Sequence, residues 1–168
     1  MPDYCIREAG PEDLDRLVEL TGRLMADQAR YVRTFRWNKA NRARVRAHLT
    51  HMLAHGQVLV LETADGLMGY AKVSVNLPPL ETHYASAAIS DLYLEPQVRG
   101  RGWGRALLDA AIALIAGRGL HAVSITFASG NEAAAALYRA RGFRANTETL
   151  ILPLEPGYVR FGPEHPEA

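Results

Sequence analysis

Two hydrophobic periods divide this chain. Leu14, Leu17, Val18, Leu20 and Leu24 return at helical spacing behind Gly10-Pro11-Glu12-Asp13, where proline and acids mark a first turn, so an amphipathic helix is expected to about Ala29. A short strand, Tyr4 to Arg7, precedes it, and a second helix is expected from Asn38 to His55. The period then shortens. Gln57 to Thr63 and Leu67 to Asn76 read as strands joined by Ala64-Asp65-Gly66, because Asp-Gly between β-type runs favours a hairpin. Ile89 to Leu94 has the apolar and aromatic character of a buried strand, which Pro96 stops. Leu107, Leu108, Ala111, Leu114 and Ile115 form the inward face of a helix over Arg105 to Ala116, ended by Gly117 and Gly119. His121 to Phe127 is a strand, Asn131 to Arg141 a helix closed by Gly142-Phe143, and Glu148 to Leu154 a last strand. Strand, helix and strand in this order imply a right-handed crossover and a parallel pair. The tail to Ala168, with Pro156, Gly157, Pro163 and Pro166, is expected to be loosely ordered.

At 168 residues and 48% hydrophobic, the chain reads as a single domain over 1–168 with a sizeable core. A net charge of +1 gives no strong field toward nucleic acid or an anionic membrane, so any basic patch is local. Cys5 is the only cysteine, which excludes an internal disulfide and a cysteine-based zinc cage. With no charged leader and no run of eighteen apolar residues, the expected location is cytoplasmic, without a membrane partner. Between Arg30 and Arg46 seven basic residues occur without an acid, interleaved with Tyr31, Phe35 and Trp37. A solvated helix face is the plainer account of this segment; recognition of an acidic acceptor is another, and base stacking on nucleic acid a third. His48, His51 and His55 share a helical face, but no carboxylate or cysteine stands near in sequence to complete a metal site, so no metal is expected.

The chemistry gathers between Ile89 and Leu108. Gly100, Gly102 and Gly104 fall at every second position between a strand and a helix, freeing backbone N–H groups to turn toward one ligand. The helix N-terminus adds unpaired donors and the positive end of its dipole, and Arg99, Arg101 and Arg105 add charge, a combination suited to a phosphate or pyrophosphate. No lysine lies in the loop to make it a nucleoside-triphosphate loop, and Gly102-x-Gly104 lacks the third glycine of a dinucleotide fingerprint. Arg99-x-x-Gly102-x-Gly104 resembles the acyl-CoA pyrophosphate loop of the GNAT superfamily of N-acetyltransferases; Gln97-x-x-Gly100-x-Gly102 overlaps it, but the Arg99 register places Gly104 at the helix start. A second stretch, Asn131, Ala134, Leu137-Tyr138 and Gly142-Phe143, is similar to that family's N-x-x-A-x-x-L-Y-x-x-x-G-F signature, and the resemblance spans about residues 4–154, leaving 155–168 as a tail.

The resemblance implies an α/β fold with a mixed, twisted central sheet of about six to seven strands and helices on both faces. It also implies attack of a primary amine on acetyl-CoA without an acyl-enzyme. Leu92, Tyr93 and Leu94 would offer backbone groups to the pantetheine arm and an oxyanion donor, and residues Arg99, Gly100, Arg101, Gly102, Trp103, Gly104 and Arg105 would hold the pyrophosphate. A bulge that splays this strand is a family feature that the sequence does not display. Tyr138 would donate to the leaving thiolate, and Asn131 would contact the cofactor arm while also capping its helix. The family's glutamate base falls near Ser90, which cannot serve. Strand alternation places Asp91 on the opposite face from Ser90, and Asp91 is the candidate base, with Glu62, Glu81, His83 and Glu95 open and no base required if the amine arrives neutral. Glu81, His83 and Tyr84, in a long loop with two prolines, are candidate acceptor contacts.

Three functions compete: an acetyl-CoA-dependent N-acetyltransferase, a non-catalytic acyl-CoA sensor, and a nucleic-acid binder using residues 30–46. Tyr138 beside an intact loop favours the enzyme. Its partner would be a small-molecule or peptide amine; the basic run leans toward an acidic or phosphorylated one, and a homodimer is left open.

Overall fold

The computed structural model describes residues 3–33, 37–75, 87–150, 152 and 160–161. Its elements run β1 (Cys5–Glu8), α1 (Leu14–Gln28), β2 (Val32–Arg33), α2 (Lys39–Ala54), β3 (Val58–Thr63), β4 (Gly66–Val75), β5 (Ala87–Leu94), α3 (Trp103–Gly117), β6 (Val123–Ile125), α4 (Glu132–Ala140) and β7 (Arg160–Phe161). Single 3-10 turns, Pro11–Asp13 and Pro96–Val98, precede α1 and follow β5. The main sheet has the order β1-β3-β4-β5-β6, antiparallel except for the parallel β5–β6 pair that the strand–helix–strand pattern anticipates.

Alternation along the central strands builds two cores. Val58 and Val60 of β3 face Leu17, Leu20 and Leu24 of α1 and Leu49 and Met52 of α2, while Leu59 and Leu61 face Leu107, Leu108, Ala111 and Ile115 of α3. Helices therefore cover both faces, as expected. The start of α1 is fixed by Asp13, which accepts from the Gly10 N–H at 2.9 Å and from both terminal nitrogens of Arg7 at 2.7 and 3.0 Å. That guanidinium, more than any other contact, lowers the Asp13 pKa.

The strand count differs from the expected six to seven in one sheet: among the described residues the main sheet has five strands, and β2 and β7 form a separate two-stranded ribbon. Residues 148–150 and 152 of the expected last strand are not in a strand, and Leu150 and Leu152 stand 87% and 80% exposed. Apolar β-formers make a strand only where a neighbour can pair with them. In the tail expected to be loosely ordered, Arg160–Phe161 pairs with Val32–Arg33. The 77–84 loop, with Glu81, His83 and Tyr84, lies outside the described residues.

Candidate active site

The register of β5 changes midway. Lys72 pairs with Asp91 but Val73 pairs with Ile89, so Ser90 is an extra residue and β5 carries a β-bulge. On its other edge β5 pairs with β6 only through Ala87, Ala88 and Ile89. The β5–β6 pairing stops at the bulge, and among the described residues no strand lies beside the edge from Asp91 to Leu94. Leu92 and Leu94 turn toward the α3 core, and Tyr93 toward the α1 core.

The bulge also corrects the facing of Asp91. Ser90 Oγ lies 3.4 Å from Ser74 Oγ, and Asp91 meets Lys72, two residues earlier on β4, so both side chains lie on the α1/α2 face rather than opposite faces. A strand with an inserted residue loses strict alternation at that point. Lys72 Nζ is 2.8 Å from Asp91 Oδ2, with both side chains about nine-tenths buried, and the Tyr70 hydroxyl donates to the same oxygen at 3.0 Å. Burial, with the Asp91 charge beside it, pushes the Tyr70 phenol well above its usual pKa.

Where β5 ends, the chain turns into the glycine loop. Gly100 and Gly102 have φ of +76° and +79°, the left-handed region that side chains disfavour, and among the described residues a Cβ at either would meet nothing within 4 Å beyond its own chain neighbours. Among the described residues, none of the amides from Gly100 through Gly104 donates a hydrogen bond to the protein; Arg105 N–H is the first to do so, to Gly102 O at 3.1 Å. Helix α3 begins at Trp103, two residues earlier than expected, so Gly104 lies in its first turn and Gly102 caps it. The Trp103 ring packs 4.9 Å from Tyr4, with Arg101 stacked over it at 5.4 Å, leaving the Trp103 backbone N–H for a ligand. Arg105 is exposed. Open space before unpaired amides fits a pyrophosphate.

Tyr138 faces the same side of the sheet. It is buried between Phe127 and Phe143, with ring centroids 5.4 and 6.0 Å away, and burial pushes its phenol up to about 12. Among the described residues nothing hydrogen-bonds its hydroxyl. Asn131 is the N-cap of α4, its Oδ1 accepting from Ala134 N–H at 3.1 Å, which leaves its amide nitrogen available.

The remaining candidate bases are occupied or lie elsewhere. Glu95, 1% exposed, is held by Arg16 at 2.8 Å, by Arg23 and by the Tyr93 hydroxyl at 3.2 Å. Glu62 pairs with Arg7 at 2.8 Å. In the basic segment Arg30 and Arg46 pair with Asp27 and Asp15 of α1, and Trp37 lies against Gly22 above a cleft of about 300 Å³ lined also by Glu19, Arg23, Ala26 and Arg42. His48, His51 and His55 are exposed, as a solvated stripe should be. Among the described residues no cluster of His, Cys, Asp or Glu could hold a metal, and no helix is long and apolar enough to cross a membrane.

Sequence reasoning missed Asp27 and Lys72, whose importance depends on partners far along the chain. The bulge is visible once the faces are known: Ile89, Leu92 and Leu94 share one face at spacings of three and two, with Tyr93 on the other.

The fold and sequence both match known proteins. A mycothiol acetyltransferase of Paenarthrobacter aurescens (strain TC1) is 34% identical over 100 residues, 59% of this chain and 31% of that protein. This chain spans less than a third of the length of the curated relatives it matches. A predicted acetyltransferase from Clostridium acetobutylicum, solved with acetyl-CoA, superposes with a TM-score of 0.71 at 21% identity, covering 90% of this chain and 96% of that one. A GCN5-related N-acetyltransferase from Ralstonia eutropha JMP134 gives 0.69 at 22% identity, covering 90% and 99%. The acetyltransferase (GNAT) family profile matches residues 21–143, taking in the bulged strand, the glycine loop and the tyrosine helix, and the chain belongs to that family.

Proposed function

We propose that this protein is an acetyl-CoA-dependent N-acetyltransferase that acts on a primary amine. The observation that carries this reading is that, among the described residues, no strand pairs with the outer edge of β5 from Asp91 to Leu94, and the single 3-10 turn that follows leads into five successive amides without protein partners. An amide-bearing arm can pair along such an edge as an added strand does, while the loop takes a diphosphate. Bound there, acetyl-CoA supplies the activated acyl carbon; the amine nitrogen forms a bond to it and the carbon–sulfur bond breaks.

The chain's own residues then have three tasks. Backbone N–H groups at Leu92 to Leu94 stabilise the carbonyl oxygen as it gains charge. Tyr138 donates a hydrogen bond to the departing sulfur. With a pKa of about 12, it keeps its proton where a thiol of pKa about 8.5 has lost its own, so it stabilises the thiolate by hydrogen bonding more than by full transfer. Asp91 takes the ammonium proton, directly or through water. Its Oδ2 is already committed to Lys72 and Tyr70, and a neutral incoming amine makes the step unnecessary.

The acceptor reading is an amine that also carries an acidic or phosphate group. Arg42 and Trp37 at the α1 cleft support it, since a guanidinium and an aromatic face suit an anionic, partly apolar ligand. A thermal-shift titration with acetyl-CoA, CoA, ATP and NAD tests the donor: a saturable rise with the two CoA species alone is expected. An amine panel followed by thiol release then tests the acceptor. No shift with either CoA species would end the reading, and a polyamine as the best substrate would reverse the preference for an anionic amine.

A further inference from the structure

We infer that Arg99 is a positioning residue rather than a phosphate ligand, and that Asp27 on α1 is its anchor; together they hold the glycine loop in its binding shape. The inference rests on the acetyltransferase reading. It begins from what the guanidinium already touches. Arg99 Nε donates to the Leu94 carbonyl at 2.8 Å, a terminal nitrogen lies 2.5 Å from Asp27 Oδ2, and the group stacks 5.3 Å over the Tyr93 ring. A planar fork pinned at two donors and one face has a fixed orientation. One residue further on, Gly100 enters the left-handed turn that opens the row of free amides.

The same side of α1 grips the end of β5 a second time. Arg16 and Arg23, at helical spacing from Asp27, close on Glu95, which also takes the Tyr93 hydroxyl. Glu95 in turn donates its N–H to Met68 O at 2.8 Å and accepts from Val98 N–H at 3.1 Å. Strand end, 3-10 turn and loop entrance are thus bound to one helix. An exposed ion pair by itself contributes little, but Arg99 ties β5 and α1 together at the point where the loop begins. Asp27 Oδ1 also holds Arg30 at 3.0 Å, which keeps the carboxylate facing the loop.

The two roles predict opposite signs for one substitution. If Arg99 contacted phosphate, Asp27→Asn would remove a negative charge near the anion site and free the guanidinium, so CoA would bind as well or better. If Asp27 is the anchor, the same change weakens CoA binding. Calorimetric titration of CoA and of S-acetylpantetheine, which lacks the pyrophosphate, is run on wild type, Arg99→Gln, Arg99→Lys, Asp27→Asn and the Arg99→Gln/Asp27→Asn double variant, each with a thermal melt. Positioning predicts that every single substitution weakens CoA binding about fivefold, the scale of one cation–π contact with an exposed ion pair. The double variant is no worse than the weaker single, S-acetylpantetheine binding is unmoved, and lysine does not rescue, because it keeps the charge but not the fork. Undiminished CoA binding by Asp27→Asn, rescue by Arg99→Lys, or parallel loss of both ligands with a lowered melting temperature would each overturn the inference. Wild-type protein that fails to bind CoA would remove the acetyltransferase reading itself, and this inference with it.

Discussion

The two faces of β5 are built from different materials. Toward α3 and α4, the strand shows Ile89, Leu92 and Leu94, and the polar features there are backbone amides and the unpartnered Tyr138 hydroxyl. Toward α1 and α2, it shows Asp91, in a buried ion pair with Lys72, then Tyr93, and then the buried Glu95, which is held by the more exposed Arg16 and Arg23 and by the Tyr93 hydroxyl. One face leaves donors free for a ligand, and the other consumes its charges internally. Stability and function should therefore separate by face, and substitutions can break that separation.

The largest effect is expected on the charged face. Asp91→Asn leaves Lys72, 9% exposed, without its counter-ion and should cost about 3 kcal/mol in urea unfolding. Replacing both partners with apolar residues, Lys72→Met with Asp91→Leu, should recover most of it, since a buried pair is worth little against well-packed hydrophobics. If the single change is harmless, the buried pair is not a structural device, and Asp91 is freer to act as a base than its contacts imply.

On the opposite face the order reverses. Tyr138→Phe removes a hydroxyl with no hydrogen-bond partner among the described residues, so the melting temperature should hold while kcat falls about 100-fold. Unchanged kcat would leave Tyr138 as a packed aromatic between Phe127 and Phe143 and take the proton donor out of the mechanism.

The glycine loop stands between the two behaviours. Gly102→Ala forces a side chain into φ of +79°, at about 1–2 kcal/mol, and adds a methyl group at the proposed pyrophosphate site. CoA binding should weaken by more than that strain accounts for, because the new Cβ and the pyrophosphate compete for one space. Loss of stability with retained CoA affinity would place the ligand elsewhere.

What the sequence made legible follows the range of each interaction. The helices, the hairpin at Asp65 and the loop glycines were readable because their causes lie within a few residues: an apolar stripe, an Asx–Gly turn, a required positive φ. Asn131 as a cap belongs with them. The charge of Arg99 beside the glycines is local information, whereas its pairing with Asp27, 72 positions away, is not. Residues 148–150 and 152, expected in the last strand, are outside any strand for a related reason. Residues 148–154 have strand-forming character, but pairing depends on a neighbour, and β6 is only three residues long. The bulge at Ser90 was not legible, since which of Ile89, Leu92, Tyr93 and Leu94 share a face depends on how the strand pairs.

The smallest effect reads both faces at once through pH. Tyr138, on the free-donor face, and Tyr93, on the charged one, are both pushed up to about 12, the first by burial and the second by burial and then Glu95. A phenol whose pKa is higher in the folded state contributes stability that is complete below the unfolded value near 10 and is lost as pH climbs from about 10 toward 12. At pH 10.5 each tyrosine has given up under about 1 kcal/mol, so the melting temperature should begin to slope there and fall faster beyond. Tyr138→Phe should flatten part of that slope, and Tyr93→Phe another part, with the two adding because the groups sit in separate cores. If Tyr138→Phe leaves the alkaline slope untouched, the phenol is better solvated than its burial between Phe127 and Phe143 indicates. It would then be a stronger acid than about 12 and a stronger hydrogen-bond donor to the leaving sulfur, though still a weaker acid than the thiol.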